Sequence, residues 1–106
     1  MIFIVVKFPV RPERVAEWPD LVAEFTAGTR AEPGNIFFEW SKSLDDENEF
    51  VLVEAFRDGT AAQHVNSEHF KAAMAWMPTA ISDTPRIVNV EAAGEGWSQM
   101  AELQPR

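Results

Sequence analysis

The stretch Glu49–Arg57, EFVLVEAFR, is apolar at every inner position but Glu54, and this constrains the fold more than any other feature of the chain. A strand with one wet face alternates apolar and polar residues. Here Phe50, Leu52 and Phe56 fall on one face and Val51, Val53 and Ala55 on the other. The preceding segment, IFFEWSKSL, places Ile36, Phe38 and Trp40 on one face and Phe37 with Glu39 and Ser41 on the other. In IFIVVKF, Ile2, Ile4, Val6 and Phe8 oppose Phe3 and Val5. Strands of this kind build a sheet that is buried on both sides.

The remaining elements follow from periodicity and punctuation. Val15, Trp18, Val22 and Phe25 recur at spacings of three and four, the apolar stripe of an amphipathic helix. Pro19 cannot donate a hydrogen bond to residue 15, which predicts a kink or restart there, and EPGN (32–35) ends the helix. The polar turn DDEN joins the second and third strands as an antiparallel hairpin. Thr60, followed three residues later by Gln63, has the spacing of a capping box and predicts one helix through AAQHVNSEHFKAAMAW, stopping before Pro78. RIVNVEA is a fourth strand, and GEGWSQMAELQPR is a tail or a short terminal helix.

The order strand, helix, strand, strand, helix, strand is the ferredoxin-like α+β pattern: a four-stranded antiparallel sheet with two main helices on one face. Residues 1–93 form this domain and 94–106 the tail. Two helices cover one face only. Each large apolar side chain buried on the other contributes roughly 1.5–3 kcal/mol, so a second copy of the sheet is the economical cover and a homodimer is expected.

The formal net charge of −8 disfavours nucleic acid and anionic membranes as partners, since Lys and Arg contacts supply most of that affinity. The absence of cysteine removes disulfides, thiolate metal sites and a cysteine nucleophile. The first ten residues lack a basic start, and their apolar run is too short to span a bilayer, so a cytoplasmic location is expected.

Both histidines, His64 and His69, lie in AQHVNSEHF. On one continuous helix, residues five apart point about 140° away from each other, which argues against a shared metal, and none is expected. An imidazole, with an ordinary pKa near 6.5, suits a general base at neutral pH. The competing role for His69 is a backbone hydrogen bond at the edge of the core. Glu54, a carboxylate within an apolar strand, either pairs across the expected dimer with Arg57 or Arg86 or faces a pocket as acid or base. Phe38, Trp40, Phe56 and Trp76 are large aromatics that either fill the core or contact a flat substrate.

In EPGNIFFEW, SLDDENEFVLVEAFRD and HVNSEHFKA the chain resembles the antibiotic biosynthesis monooxygenase family and its quinol monooxygenase-like members, over about residues 2–92. The resemblance implies a dimeric α+β barrel. Some members oxygenate quinol- or anthrone-like aromatics with O₂ and no cofactor, others isomerise phosphorylated ketones, and a related branch degrades haem. The haem branch has an axial histidine where this chain has Met74, a tryptophan at His64 and an asparagine near Lys7, so haem degradation is disfavoured. The anthrone-oxidising members use an Asn and a Trp that align with Leu52 and Phe56, so their mechanism does not transfer. The isomerase-like members share the two histidines, but they favour small polar ligands.

The expected activity is therefore a cofactor-independent monooxygenase acting on a small aromatic substrate with O₂. His69 is the first candidate base and His64 the second; Phe38, Trp40, Glu54, Phe56 and Trp76 line the substrate site. The alternatives are an isomerase that abstracts a proton beside a carbonyl, and a non-catalytic dimeric binder of an aromatic metabolite.

Overall fold

The computed structural model describes residues 1–106. Strands β1 (Ile2–Pro9), β2 (Asn35–Lys42), β3 (Glu49–Phe56) and β4 (Arg86–Glu91) form one antiparallel sheet in the order β2-β3-β1-β4. Helices α1 (Trp18–Leu21), α2 (Ala23–Arg30), α3 (Ala61–Val65) and α4 (Glu68–Trp76) connect them, and the expected α+β ferredoxin-like topology is present. No helix is long and apolar enough to cross a membrane.

The first helical region begins as a 3-10 turn at Pro12–Arg14. Pro19 sits in the first turn of α1, where its missing N–H has no partner to lose, so the break falls later, at Val22 (φ −90°, ψ 0°). Trp18, Val22 and Phe25 nevertheless point into the core as one stripe.

The second helical region departs further from expectation. It is two helices rather than one. Ser67 adopts an extended conformation (φ −73°, ψ 154°) and its Oγ accepts from the Phe70 N–H at 3.2 Å while donating to the His64 carbonyl at 2.6 Å. Ser67 therefore caps α4 and closes off α3 with the same hydroxyl, the competition with helix geometry that short polar side chains offer. The capping box expected at Thr60 does not form. Its hydroxyl donates to the Arg57 carbonyl instead, at 2.7 Å.

The pairing between β2 and β3 shifts between Asn35 and Phe37, a bulge that takes Ile36 out of the Phe38–Trp40 alternation and sets it against Gly96. Phe37 and Phe38 are both buried on opposite faces, Phe37 against Phe3 and Trp97 and Phe38 against Phe25. The helix-facing side of the sheet carries the core: Ile4, Val6, Phe8, Phe38, Phe50, Leu52 and Phe56, packed under Trp18, Val22 and Phe25. On the outer side, Phe3, Val5, Val51 and Val53 are half-buried and Val88 and Val90 are exposed. The segment after β4 forms no helix or strand. Trp97 reaches back to Phe37 with ring centroids 5.0 Å apart, covering one corner of this outer face.

Candidate active site

Register decides which polar groups share a wall. Directly opposed residues of antiparallel strands point to the same face. Ile4 opposes Glu54 on β3 and Asn89 on β4, so Glu54, Ile4 and Asn89 form one row on the helix-facing side. The helices do not cover β4, all six of whose residues are exposed. A cavity of about 390 Å³ remains between this part of the sheet and the α3–α4 segment. Its walls are apolar, with Ile4, Val6, Leu52, Phe70 and Met77 among them, and its only polar side chains are Glu54, His64 and Asn89.

Glu54 is buried, and desolvation, reinforced by the negative charge of Glu32, raises its carboxyl pKa from 4.5 to about 7. Its Oε1 lies 3.9 Å from His64 Nε2. Within the chain neither Arg57 nor Arg86 reaches it. Arg57 donates to the Pro33 carbonyl at 2.7 Å, and Arg86 lies 3.6 Å from Glu49.

His64 is buried among aromatic rings, with centroid distances of 4.7 Å to Phe56, 5.1 Å to Phe70 and 5.8 Å to Phe25. Its Nδ1 is 2.8 Å from Glu32 Oε2, and His69 Nε2 is 2.5 Å from the same oxygen. An ionised carboxylate only accepts, so the ring nitrogens facing Glu32 carry the protons. In the neutral imidazole this leaves Nε2, which lies 3.9 Å from Glu54 Oε1, as the acceptor on the cavity side. This is the carboxylate–imidazole arrangement by which a base is held in one tautomer and one orientation.

The break at Ser67 overturns the argument that the two histidines diverge. Because α3 and α4 are separate, both imidazoles turn towards Glu32, and their centroids are 6.0 Å apart. The ligating atoms of Glu32, His64 and His69 all lie within 4.8 Å of one another, a two-histidine, one-carboxylate set of the kind that holds divalent metals. Its three facing atoms already satisfy each other as hydrogen-bond partners.

The two candidate bases occupy different places. His64 lines the main cavity, whereas His69 lies behind Glu32 and borders a separate surface groove with Asp20, Glu24 and Trp76. His69 packs against α2 at Gly28, where a Cβ would come within 2.6 Å of the imidazole Cγ, so only glycine leaves room for the ring. Of the aromatics expected to line the substrate site, Phe38, Trp40, Phe56 and Trp76 all lie outside the cavity lining. Phe38 and Phe56 are buried in the core, Phe56 backing His64. Trp40 and Trp76 each pack against Trp18, with centroids 5.8 and 5.7 Å away.

Sequence reasoning missed Glu32 and Asn89. Glu32 lies in the turn that ends the first helical region, where Pro33 and Gly34 draw attention as breakers and the carboxylate reads as solvated. Asn89 could have been found from its place between the apolar residues Ile87, Val88 and Val90.

The fold and the site together define a small α+β domain built around a histidine- and carboxylate-bearing apolar cavity. The antibiotic biosynthesis monooxygenase family model matches residues 1–76, and the chain belongs to that family. It is 27% identical over 92 residues to YcnE of Bacillus subtilis, named as a candidate monooxygenase, covering 86% of this chain and 97% of the relative. A conserved protein from Methanosarcina mazei superposes with a TM-score of 0.80 at 25% identity, over 87% of this chain and 92% of that one. Rv0793 of Mycobacterium tuberculosis does so with a TM-score of 0.79 at 23% identity, over 91% and 98%.

Proposed function

We propose that this protein is a cofactor-independent monooxygenase that oxidises a quinol- or anthrone-like aromatic with O₂, using His64 as the base. The observation that carries the reading is the orientation of His64: Nδ1 held by Glu32, Nε2 directed to an apolar cavity beside Glu54. An electron-rich aromatic is the class of substrate that needs no more than this from a protein. His64 Nε2 takes a proton from the substrate, and the resulting anion gives one electron to O₂. The substrate radical and superoxide combine into a peroxide anion, which takes the proton back from His64 and as a hydroperoxide loses water. One oxygen atom ends in the product and the other in water, so that a ring C–H of a quinol becomes C–OH as the quinol becomes a quinone. Glu54, with its pKa near 7, can hydrogen-bond to a substrate oxygen as the neutral acid.

His69, the first candidate from sequence, takes a positioning role here, as a second donor to Glu32. Among the lining residues there is no Lys or Arg, which leaves a phosphorylated ligand without a counter-charge and weighs against the sugar-phosphate isomerases. Oxygen consumption with a panel of hydroquinones and anthrones tests the reading. Substrate-dependent uptake lost in His64→Ala is expected. Isomerisation without uptake would make the protein an isomerase, and binding without turnover a binder.

The assembly we propose is a homodimer through the outer face of the sheet. Val88 and Val90 are 58% and 45% exposed there, beside half-buried Phe3, Val5 and Val53. Trp97 shields only the Phe37 corner. Light scattering is expected to give twice the chain mass at micromolar concentration, and Val53→Asp the monomer.

A further inference from the structure

The cavity has polar groups at two places, and its first use accounts for only one. Glu54 and His64 stand at the inner end. Asn89 stands two strands away on β4, at the uncovered edge, and the rest of the lining carries no other polar side chain. We infer that Asn89 is a specificity-determining residue that hydrogen-bonds a second oxygen of the substrate, so that the site selects a flat molecule bearing oxygens at opposite ends. This rests on the cavity being the substrate site, as proposed above.

The geometry is set by the sheet. Asn89 and Glu54 both oppose Ile4, so all three side chains rise from one row and Ile4 forms the floor between the two polar groups. Two successive cross-strand steps of about 5 Å put their Cα atoms roughly 10 Å apart. With a hydrogen bond of about 2.8 Å at each end, roughly 4–5 Å remains between the two ligand oxygens. Oxygens para to each other on one six-membered ring stand farther apart than this by about 1 Å, a difference that the side-chain torsions of Glu54 and Asn89 take up. A phenol or carbonyl oxygen at the inner end meets Glu54 and His64. The primary amide of Asn89 serves the outer end whether that oxygen is a hydroxyl or a carbonyl, because it both donates and accepts. The floor and roof offer apolar contact only, so orientation within the cavity falls to these two ends.

Hydroquinone and 4-methylphenol form a matched pair of probes, differing by a hydroxyl in place of a methyl group. Their dissociation constants are measured calorimetrically under anaerobic conditions for the wild type, Asn89→Leu and Asn89→Ala. The preference for hydroquinone over 4-methylphenol is expected to fall about five-fold in both variants, with 4-methylphenol affinity changed less than about two-fold. The exposed strand position and backbone pairing leave both variants folded, which circular dichroism checks. An unchanged preference in both variants would overturn the role of Asn89 and leave the proposed function standing. If neither phenol binds the wild type, the cavity is not the site, and both readings fall together.

Discussion

The two ends of the helix-facing side of the sheet are built from the same strands and differ in how they are filled. At one end Phe8, Trp18, Trp40, Phe50 and Trp76 interlock, with Trp18 within 5.9 Å, centroid to centroid, of each of the other four. Farther along β3, Leu52 and Glu54 look into a cavity, because no helix covers β4. Large aromatics in mutual contact fill the first end. The second end is underfilled, and it is there that the sequence places a carboxylate and an imidazole. The polar groups gather at the open end, and Trp40 and Trp76, which attract attention in the sequence, hold the closed one.

Substitutions at the two ends sharpen this contrast. Trp18→Ala, at the centre of the closed end, is expected to cost about 3–5 kcal/mol of stability, read by urea unfolding. A loss below about 1 kcal/mol would mean that the cluster is not a cohesive core. At the open end the stability effect has a pH signature. Glu54 has a folded pKa of about 7 against 4.5 when unfolded, so the folded state binds its proton more tightly. The penalty for ionising it is absent below pH 4.5, grows as pH rises, and is complete above about pH 7, amounting to roughly 3 kcal/mol. Glu54→Gln removes this dependence. Unfolding free energies at pH 5 and pH 8 should differ less in the variant than in the wild type by roughly 2.5 kcal/mol, since part of the penalty is already present at pH 5, and an equal difference would show that Glu54 is not desolvated.

Smaller effects separate the histidines. His64→Ala is expected to lower oxygen-consuming turnover about a hundred-fold with little change in substrate affinity. His69→Ala should cost less than about ten-fold and shift the pH profile of kcat, since it removes one of two donors to Glu32 rather than the base itself. A larger loss in His69→Ala than in His64→Ala would reverse the assignment.

Much of the fold was legible because it rests on local patterns. The strand and helix order follows from period-two and period-three-to-four apolar spacing, and Glu54 stood out as the one charge inside an apolar strand. Ser67 carried a readable signal, a serine before an acidic residue at a helix start, but the capping-box spacing of Thr60 and Gln63 put the start earlier and ran one helix through it. That single misread cap led to the wrong relation between the histidines. Two helices placed end to end can turn side chains together that one helix holds apart.

By itself the sequence determined the topology, the surplus of apolar surface on both faces of the sheet and the residue types available for chemistry, because each depends on neighbours along the chain. Only the tertiary structure decided that Glu32 joins His64 to His69 across more than thirty residues, and that His64 rather than His69 meets the cavity. It also decided that Asn89 shares a row with Glu54. Those outcomes depend on register and on where a helix layer ends, quantities set by packing between segments distant along the chain.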